Sequence, residues 1–358
     1  MRAPVRVAAS CSDSERAVIA RAIAKAIEHG NYFRRPALGV RGRDTSHKEW
    51  LHFACCTDEL DLLVNFSVVS HPRQEVPRLV CAVRGDGWDG DVDSYPTSAL
   101  TVHGLSNAIR IGENYAEYDG ECFHVYAECR RRPIRVALTL RPVAVPSLGN
   151  NIEFAEAERI HWFMVPHLEA TGMVQVGART YYLRRAPSYH DHNWGRFRWG
   201  RDACWLWGYG QGTSGESSWA LIFSRMMNLA RSQDYTRGLA IWCNGRQQRI
   251  FEDADITIIE HGRFRASRVF KLPRMADLYH PGEVVEVPAR LELSARRRED
   301  FVSLTFQPLD ICQIIVPNDS DLGSTVINEV SGTLEVVGSI RGQEFRFTCR
   351  SLFEFLHG

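Results

Sequence analysis

Hydrophobic and polar residues alternate along most of the chain after about residue 45. The alternation is clearest between residues 59 and 69 and again between residues 134 and 140. Side chains on a strand point to opposite faces in turn, so a period of two predicts half-buried β-strands. Glycine and aspartate clusters such as Gly85-Asp86-Gly87 separate these runs and favour tight turns. The pattern predicts a mainly β protein with one strand at residues 59 to 69.

The first thirty residues follow a helical period instead. Ile19, Ile23 and Ile27 recur at every fourth position, which places them on one face of a helix. Ser12 to Glu15 has the spacing of a capping box, and Gly30 stands where a left-handed residue commonly ends a helix. We therefore expect a short helix near residues 13 to 29 that packs on a barrel wall or on a partner subunit.

A segment of the chain repeats about 160 residues later. An alternating strand, a glycine turn and a second strand occupy residues 172 to 191, and the same arrangement recurs over residues 332 to 356. Asp191 and Glu354 fall at matching points of the two copies. The repeat predicts two similar units, each large enough for one antiparallel barrel, with a hairpin over residues 172 to 191 and strands over residues 332 to 356.

Two tandem barrels also suit the length of 358 residues, which exceeds one ordinary core. Next to its acid, the first copy of the repeat carries His, Asn and Trp that the second copy lacks. We therefore expect the chemistry in the first barrel and a mainly structural role for the second. The predicted division is a helical extension at 1–44, a first barrel at 45–200 and a second barrel at 201–358.

The segment Tyr189 to Gly195 is the densest group of chemically active side chains in the sequence. On an extended strand, alternate side chains share a face, so the segment divides into two trios. We expect one of the trios to face the interior. The trios are Tyr189, Asp191 and Asn193, and His190, His192 and Trp194.

Asp191 is the candidate acid of this segment. Burial among aromatic rings disfavours the charged carboxylate and would raise the pKa of Asp191, so that it holds a proton near neutral pH. The alternative is a structural network in which Asp191 accepts hydrogen bonds from neighbouring His or Trp donors and closes the barrel.

Composition narrows the possible partners. Lys plus Arg and Asp plus Glu number 43 each, so net charge does not favour nucleic acid as a partner. The sequence has no apolar run of the roughly 20 residues that a membrane helix needs. Ala8 to Cys11 is similar to a lipoprotein cleavage site but lacks an apolar segment before it, so we expect a cytoplasmic protein. The oligomeric state stays open.

Two motifs suggest a metal ion and a dinucleotide, but the residues around each motif do not support such a site. His190 and His192 share a strand face, and His161 or His167 could add a third metal ligand, but no further ligand is spaced to complete the shell. The segment Gly210 to Gly215 matches the dinucleotide fingerprint, yet its flanks have strand patterns on both sides. We expect a flexible hairpin loop there, which could cover a cavity mouth, and neither a metal nor an organic cofactor.

The Tyr189 to Gly195 segment, together with Glu49-Trp50 and the Gly332 to Phe355 segment, resembles the two-domain lipocalin-like superfamily. This superfamily includes carotenoid 1,2-hydratases, AttH-type bacterial proteins and fungal decalin-forming Diels-Alderases. The resemblance implies two lipocalin-like barrels. In the hydratases the matching aspartate is the proposed proton donor to a carbon–carbon double bond, with a tyrosine beside it, which implies these roles for Asp191 and Tyr189.

These observations predict a cyclase of a hydrophobic polyene of polyketide or isoprenoid origin, which acts in a cavity between the barrels. Ring closure could be pericyclic or initiated by acid; a hydratase that uses Asp191, and a carrier without enzymatic activity, are the alternatives. Aromatic rings such as Trp162 and Trp194 could stabilise a cation. The candidate catalytic residues are Asp191, Tyr189, His192 and Asn193, and the candidate substrate contacts are Trp162, Trp194, Tyr181, His190 and Trp205.

Overall fold

The computed structural model of the chain describes most of its length. The predictions for Ser12 and for Ala8 to Cys11 lie outside this part. Among the described residues, no helix is long and apolar enough to cross a membrane. The described residues are 13–34, 47–70, 75–102, 107–153, 159–202, 204–279, 285–319 and 321–357.

The predicted N-terminal helix is present as α1 (Asp13–Gly30). Ile23 and Ile27 are buried in the core of the first sheet, so the helix packs on the first barrel. The expectation that Gly30 is left-handed was wrong, because Gly30 has no positive φ and is the last helical residue. A Cβ at Gly30 would lie 2.4 Å from Phe163 Cε2, so glycine allows the helix end to approach the sheet closely.

The first sheet is antiparallel and curls around its own core. Its path runs β4-β3-β2-β1-β12-β11-β9-β8-β7-β6-β5, with β10 paired to β11, so that the last strand of this half lies beside the first. Its strands are β1 (His47–Cys56), β2 (Asp61–Ser70), β3 (Glu75–Arg84), β4 (Trp88–Ser94), β5 (Leu100–Thr101), β6 (Ala108–Ile111), β7 (Asn114–Tyr118), β8 (Phe123–Glu128), β9 (Ile134–Pro142), β10 (Ser147–Glu153), β11 (Arg159–Val176) and β12 (Arg179–Arg196).

The second sheet repeats this plan. Its path runs β16-β15-β14-β13-β22-β21-β20-β19-β17, and β18 pairs with β20 in parallel, so β22 holds the place in this half that β12 holds in the first. A short helix, α2 (Ala276–Tyr279), lies between β18 and β19. The strands are β13 (Cys204–Ser214), β14 (Ser217–Met227), β15 (Asp234–Cys243), β16 (Arg246–Glu252), β17 (Ile256–His261), β18 (Phe270–Leu272), β19 (Arg290–Arg297), β20 (Asp300–Pro317), β21 (Ser324–Ile340) and β22 (Gln343–His357).

The mainly β class, with two tandem sheets and a short N-terminal helix, is thus confirmed. The strand predicted at 59 to 69 is β2. The hairpin predicted at 172 to 191 is formed by the ends of β11 and β12, and the strands predicted within 332 to 356 are β21 and β22. Periodicity located these elements because each strand presents one face to a core.

The Gly210 to Gly215 segment corrects one expectation. Gly210 and Gly212 lie inside β13, and Gly215 alone has the positive φ of the turn that follows. A Cβ at Gly212 would meet Phe347 Cδ2 at 2.3 Å. The first two glycines therefore permit close packing of β13 inside the second barrel, where they form no flexible loop over a cavity.

A third core fills the space between the two sheets. Tyr189 of β12 stacks on Tyr209 of β13, with ring centroids 4.8 Å apart. The two rings lie on the outer faces of their barrels, where the two sheets meet. The trio of Tyr189, Asp191 and Asn193 therefore points at the second sheet. Other members of this core are Ala54, Leu63, Ala82, Trp162, Trp207, Ala220, Ile222, Cys312 and Leu352.

Candidate active site

Strand register brings the polar residues of the first sheet together between the two barrels. On β1 and β12, His52 lies opposite Asp191, and Trp50 lies opposite Asn193. On the other side of β12, Trp162 of β11 also lies opposite Asn193. Directly opposed residues share a face of an antiparallel sheet. All five side chains therefore face the second sheet and form one wall of a cavity.

Asp191 is buried and accepts three side-chain hydrogen bonds. Trp162 Nε1 and the Tyr189 hydroxyl each donate to Oδ2 at 2.9 Å, and Asn193 Nδ2 donates to Oδ1 at 2.7 Å. Tyr189 and Asn193 each lie two positions from Asp191 on β12, and Trp162 of β11 lies opposite Asn193, so all three donors share the sheet face of Asp191. They hold the carboxyl group in one orientation toward the cavity.

Burial raises the pKa of Asp191 to about 8, against the three donors, which favour the charged form. The negative charge of Glu354 raises it further. Asp191 is therefore a carboxylic acid at neutral pH. Its three donors stabilise the carboxylate that remains when the proton leaves, which suits a general acid.

We expect Asp191→Asn to stabilise the protein by an amount that grows with pH. Between the ordinary value of 3.8 and the folded value of about 8, the unfolded chain releases a proton that the folded chain keeps. Unfolding of the wild type is therefore increasingly favoured across this range, whereas an asparagine has no proton to release. Melting temperatures of both proteins across this pH range measure the effect. A difference that does not change with pH would contradict the raised pKa.

The second barrel, for which the sequence predicted a mainly structural role, also places an acid in this cavity. Glu354 of β22 lines the cavity with Asp191 and accepts a hydrogen bond from Trp205 Nε1. Glu329 lies directly opposite Glu354 on β21. Burial raises the pKa of both glutamates, and the charge of Glu354 raises that of Glu329 further. Three mutually repelling carboxyl groups therefore surround the space between the barrels, and protonation relieves the repulsion.

The cavity beside Asp191 is narrow, with a volume of about 50 Å³. A larger chamber of about 120 Å³ adjoins it, and the two share Trp50, Trp205 and Glu354. Ligand pockets commonly measure roughly 300 to 1,000 Å³, so neither chamber alone has the volume of a typical ligand pocket. The residues lining the narrow cavity are Trp50, His52, Ile152, Ile160, Trp162, Asp191, Asn193, Trp205, Leu206, Trp207, Ser224, Met226 and Glu354.

His52 is a site residue that the sequence reasoning missed. Burial lowers its pKa to about 3, so its imidazole is neutral, and within the described residues its Nε2 atom is buried without a hydrogen-bond partner. Its ring lies 5.6 Å from that of Trp207. Spacing on β1 puts His52 on the same face as Trp50, but only the pairing of β1 with β12 brings it next to Asp191.

Four of the predicted site residues lie elsewhere. His190, His192 and Trp194 point into the first barrel, because they alternate with the Asp191 face. His190 stacks on Phe53 there, with ring centroids 4.2 Å apart. Tyr181 is also buried in the first core and is not part of the cavity lining. These four side chains therefore lie outside the cavity that Asp191 lines.

His192 belongs instead to a buried network that attaches the end of α1 to the first sheet. Its Nε2 lies 2.8 Å from Glu49 Oε1, and its Nδ1 lies 3.2 Å from the Asn31 carbonyl oxygen. Glu49 also accepts from the Arg34 backbone N–H at 2.6 Å. Burial opposes ionisation of Glu49, but hydrogen bonds from His192 and His47 hold its pKa below the ordinary value.

The histidines that the sequence suggested as metal ligands make other contacts in the structure. His190 Nδ1 lies 2.9 Å from the His52 carbonyl oxygen and its Nε2 lies 3.0 Å from Asn31 Oδ1, so both ring nitrogens are engaged. His161 stacks on Trp194, while His167 lines a separate groove near α1. Across the described part of the chain, no three His, Cys, Asp or Glu residues are arranged to hold a metal ion.

Comparison with solved structures identifies the fold. No family model matches the sequence, and no curated protein matches it at a significant level. An AttH-like protein from Nitrosomonas europaea superposes with a TM-score of 0.61 at 14% identity, covering 91% of this chain and 97% of that one. Kievitone hydratase from Nectria haematococca gives 0.54 at 12% identity, covering 87% and 89%. CghA, solved with Sch210972, gives 0.58 at 13% identity, covering 92% and 95%.

These matches extend over both sheets, so they concern the two-barrel arrangement as a whole and not one barrel alone. Identities of 12 to 14% show the fold and leave the reaction open. The chain therefore has the same overall fold as these three proteins.

Proposed function

We propose that the protein is an enzyme that protonates a carbon–carbon double bond of a long hydrophobic substrate, and that water or another part of the substrate then captures the cation. The observation that carries this proposal is Asp191, a neutral acid at ordinary pH whose carboxyl group lines a cavity walled by indole rings. Such an arrangement combines a proton with surroundings that tolerate positive charge.

The proposed reaction has two steps. The π electrons of the double bond take the proton of Asp191, which forms a C–H bond and leaves a cation on the neighbouring carbon. Trp162, Tyr189 and Asn193 stabilise the Asp191 carboxylate through the hydrogen bonds already present. A water oxygen or a second double bond then bonds to the cation, and the proton that is lost returns to Asp191. The products are a hydrated or a cyclised chain.

His52 has a supporting role in this proposal. As a neutral imidazole in the cavity wall, it can form a hydrogen bond to the water that attacks the cation. Its position opposite Asp191 on the neighbouring strand keeps both groups on one side of a bound chain.

The fold comparison supports the general type of chemistry. A protein of this fold bears the name kievitone hydratase, so this architecture accommodates hydration. A carrier would need an apolar cavity, but buried acids that face each other destabilise a fold without improving retention of a ligand. The three carboxyl groups therefore favour an enzyme.

The proposal is tested by incubating the protein with linear polyenes in heavy water. We expect deuterium at a carbon of at least one polyene, because the acid proton exchanges with solvent. The rate should be constant at lower pH and fall as pH rises through about 8, because the protonated form of Asp191 is then lost. A rate that rises through that range would assign catalysis to a base, and turnover without deuterium would favour a pericyclic reaction in which the cavity orients the substrate.

A further inference from the structure

The larger chamber of the cavity contains a positive charge that the proposed reaction does not use. This chamber lies between strands β2 and β3 of the first sheet and strands β20 and β21 of the second, and Arg78 of β3 lines it. Most of its remaining wall is aliphatic or aromatic. These apolar lining residues are Trp50, Leu63, Val68, Val69, Val80, Val92, Trp199, Trp205, Ile314, Ile315, Val316 and Ile327. The other polar lining residues are Lys48, Glu49, Asn65, Ser67, Glu329 and Glu354.

Arg78 has no counterion of its own. Among the described residues, its guanidinium makes no hydrogen bond and no ion pair, although the side chain is mostly enclosed. Asp319 attracts Arg78 through space, but this carboxylate already binds Lys48 Nζ at 2.9 Å and accepts the Trp199 backbone N–H at 2.7 Å. Enclosed charges in proteins are normally paired, and Lys48 already has Asp319, so Arg78 is the charge in this lining that a bound anion could neutralise.

The strand register connects this charge to the acid. Arg78 lies opposite Ser67, Ser67 lies opposite Trp50, and Trp50 lies opposite Asn193, which donates to Asp191. Neighbouring strands are about 4.8 Å apart, so this row spans about 14 Å across the sheet. An extended chain whose head group lies at Arg78 can therefore reach Asp191 along the apolar wall.

We propose that Arg78 binds a carboxylate at one end of the substrate, so that the substrate is a long unsaturated acid and not a neutral hydrocarbon. This inference rests on the proposed function, because it names the substrate class of the same cavity. A planar guanidinium binds both oxygens of a carboxylate at once, which fixes the head group in position and orientation. The distance from Arg78 to Asp191 then selects which double bond receives the proton.

Binding of two fluorescent probes tests the inference. The probes are cis-parinaric acid and the corresponding alcohol, which have the same tetraene chain and differ at the head group. We expect wild-type protein to bind the ionised acid at least about 10-fold more tightly than the alcohol. In Arg78→Gln this preference should disappear, while the affinity for the alcohol stays the same. Arg135→Gln, which removes an exposed arginine paired with Glu128, is the matched control and should behave as wild type.

The outcomes separate this inference from the proposed function. Equal binding of the two probes by wild type, or a preference that persists in Arg78→Gln, overturns the carboxylate anchor and leaves the acid chemistry of Asp191 in place. Failure of both probes to bind contradicts the hydrophobic-chain substrate itself and removes both proposals. If Arg78→Gln does not fold, Arg78→Lys replaces it, because lysine keeps the charge but lacks the planar guanidinium. An undiminished preference of Arg78→Lys for the acid would contradict binding by the guanidinium.

Discussion

Asp191→Asn is expected to lower the rate of the proposed reaction by about 10² to 10⁴-fold, the range typical of lost acid–base catalysis. Asparagine has the shape of the acid but no proton to transfer. The hydrogen bonds can be preserved, because Trp162 and Tyr189 continue to donate to the remaining oxygen and the Asn193 amide can turn to accept from the new NH₂ group. Binding of polyene probes should therefore change little.

The measurement is the turnover rate of a substrate found in the heavy-water screen, with deuterium incorporation followed by mass spectrometry. Asp119→Asn provides the control, because Asp119 is an exposed aspartate in a turn and lies outside the cavity lining. If Asp191→Asn keeps the wild-type rate and neither protein incorporates deuterium, acid catalysis is excluded. The cavity would then act by holding diene and dienophile together.

Glu49→Ala is expected to destabilise the protein by about 3 to 5 kcal/mol, the cost of removing one partner from a buried charged pair. Both ring nitrogens of His192 face acceptor oxygens, so one proton is shared between His192 and Glu49 in addition to the proton donated to Asn31. Removing Glu49 leaves Nε2 of His192, and also the Arg34 backbone N–H, without an acceptor. The exposed fractions are 0% for the His192 side chain and 1% for Glu49, so water cannot replace the lost partner.

Urea denaturation followed by tryptophan fluorescence measures this effect. Glu128→Ala is the matched control, because Glu128 pairs with Arg135 on the surface, where an ion pair contributes about 1 kcal/mol or less. A loss in Glu49→Ala no larger than in the control would show that the network does not hold the end of α1 on the sheet. A large loss would support a structural role for His192, which the sequence predicted to be catalytic.

Local sequence pattern predicted the parts of the site that depend on a single strand. Alternation along β12 separated the trio of Asp191 from the trio of His192, and the repeat placed Glu354 on the strand equivalent to that of Asp191. Alternation could not say which face enters a barrel, because both trios contain aromatic and polar side chains. The His192 trio is enclosed by the first barrel because Asn31 and Glu49 satisfy its histidines there.

The other parts of the site depend on contacts between segments that are far apart in the sequence. His52 becomes a neighbour of Asp191 when β1 pairs with β12, and the sequence around His52 does not predict that pairing. Glu354 reaches Asp191 through the packing of one sheet on the other, which a repeat of strands does not determine. Arg78 is one arginine among many in the sequence, and its missing counterion is visible only when the chamber around it is formed.

Two sheets pack around Asp191, and this arrangement affects how the protein folds. During synthesis, β1 cannot pair with β12 until β12 has been made. The wall opposite Asp191 forms only after β13 and β22 have been made and have paired. A half-finished chain leaves the Asp191 face open to water, where an aspartate is ionised at neutral pH. Docking of the second sheet removes that water and makes the carboxylate take up a proton. In a chain that folds in this order, Asp191 takes up its proton from the surrounding solution when the second sheet docks.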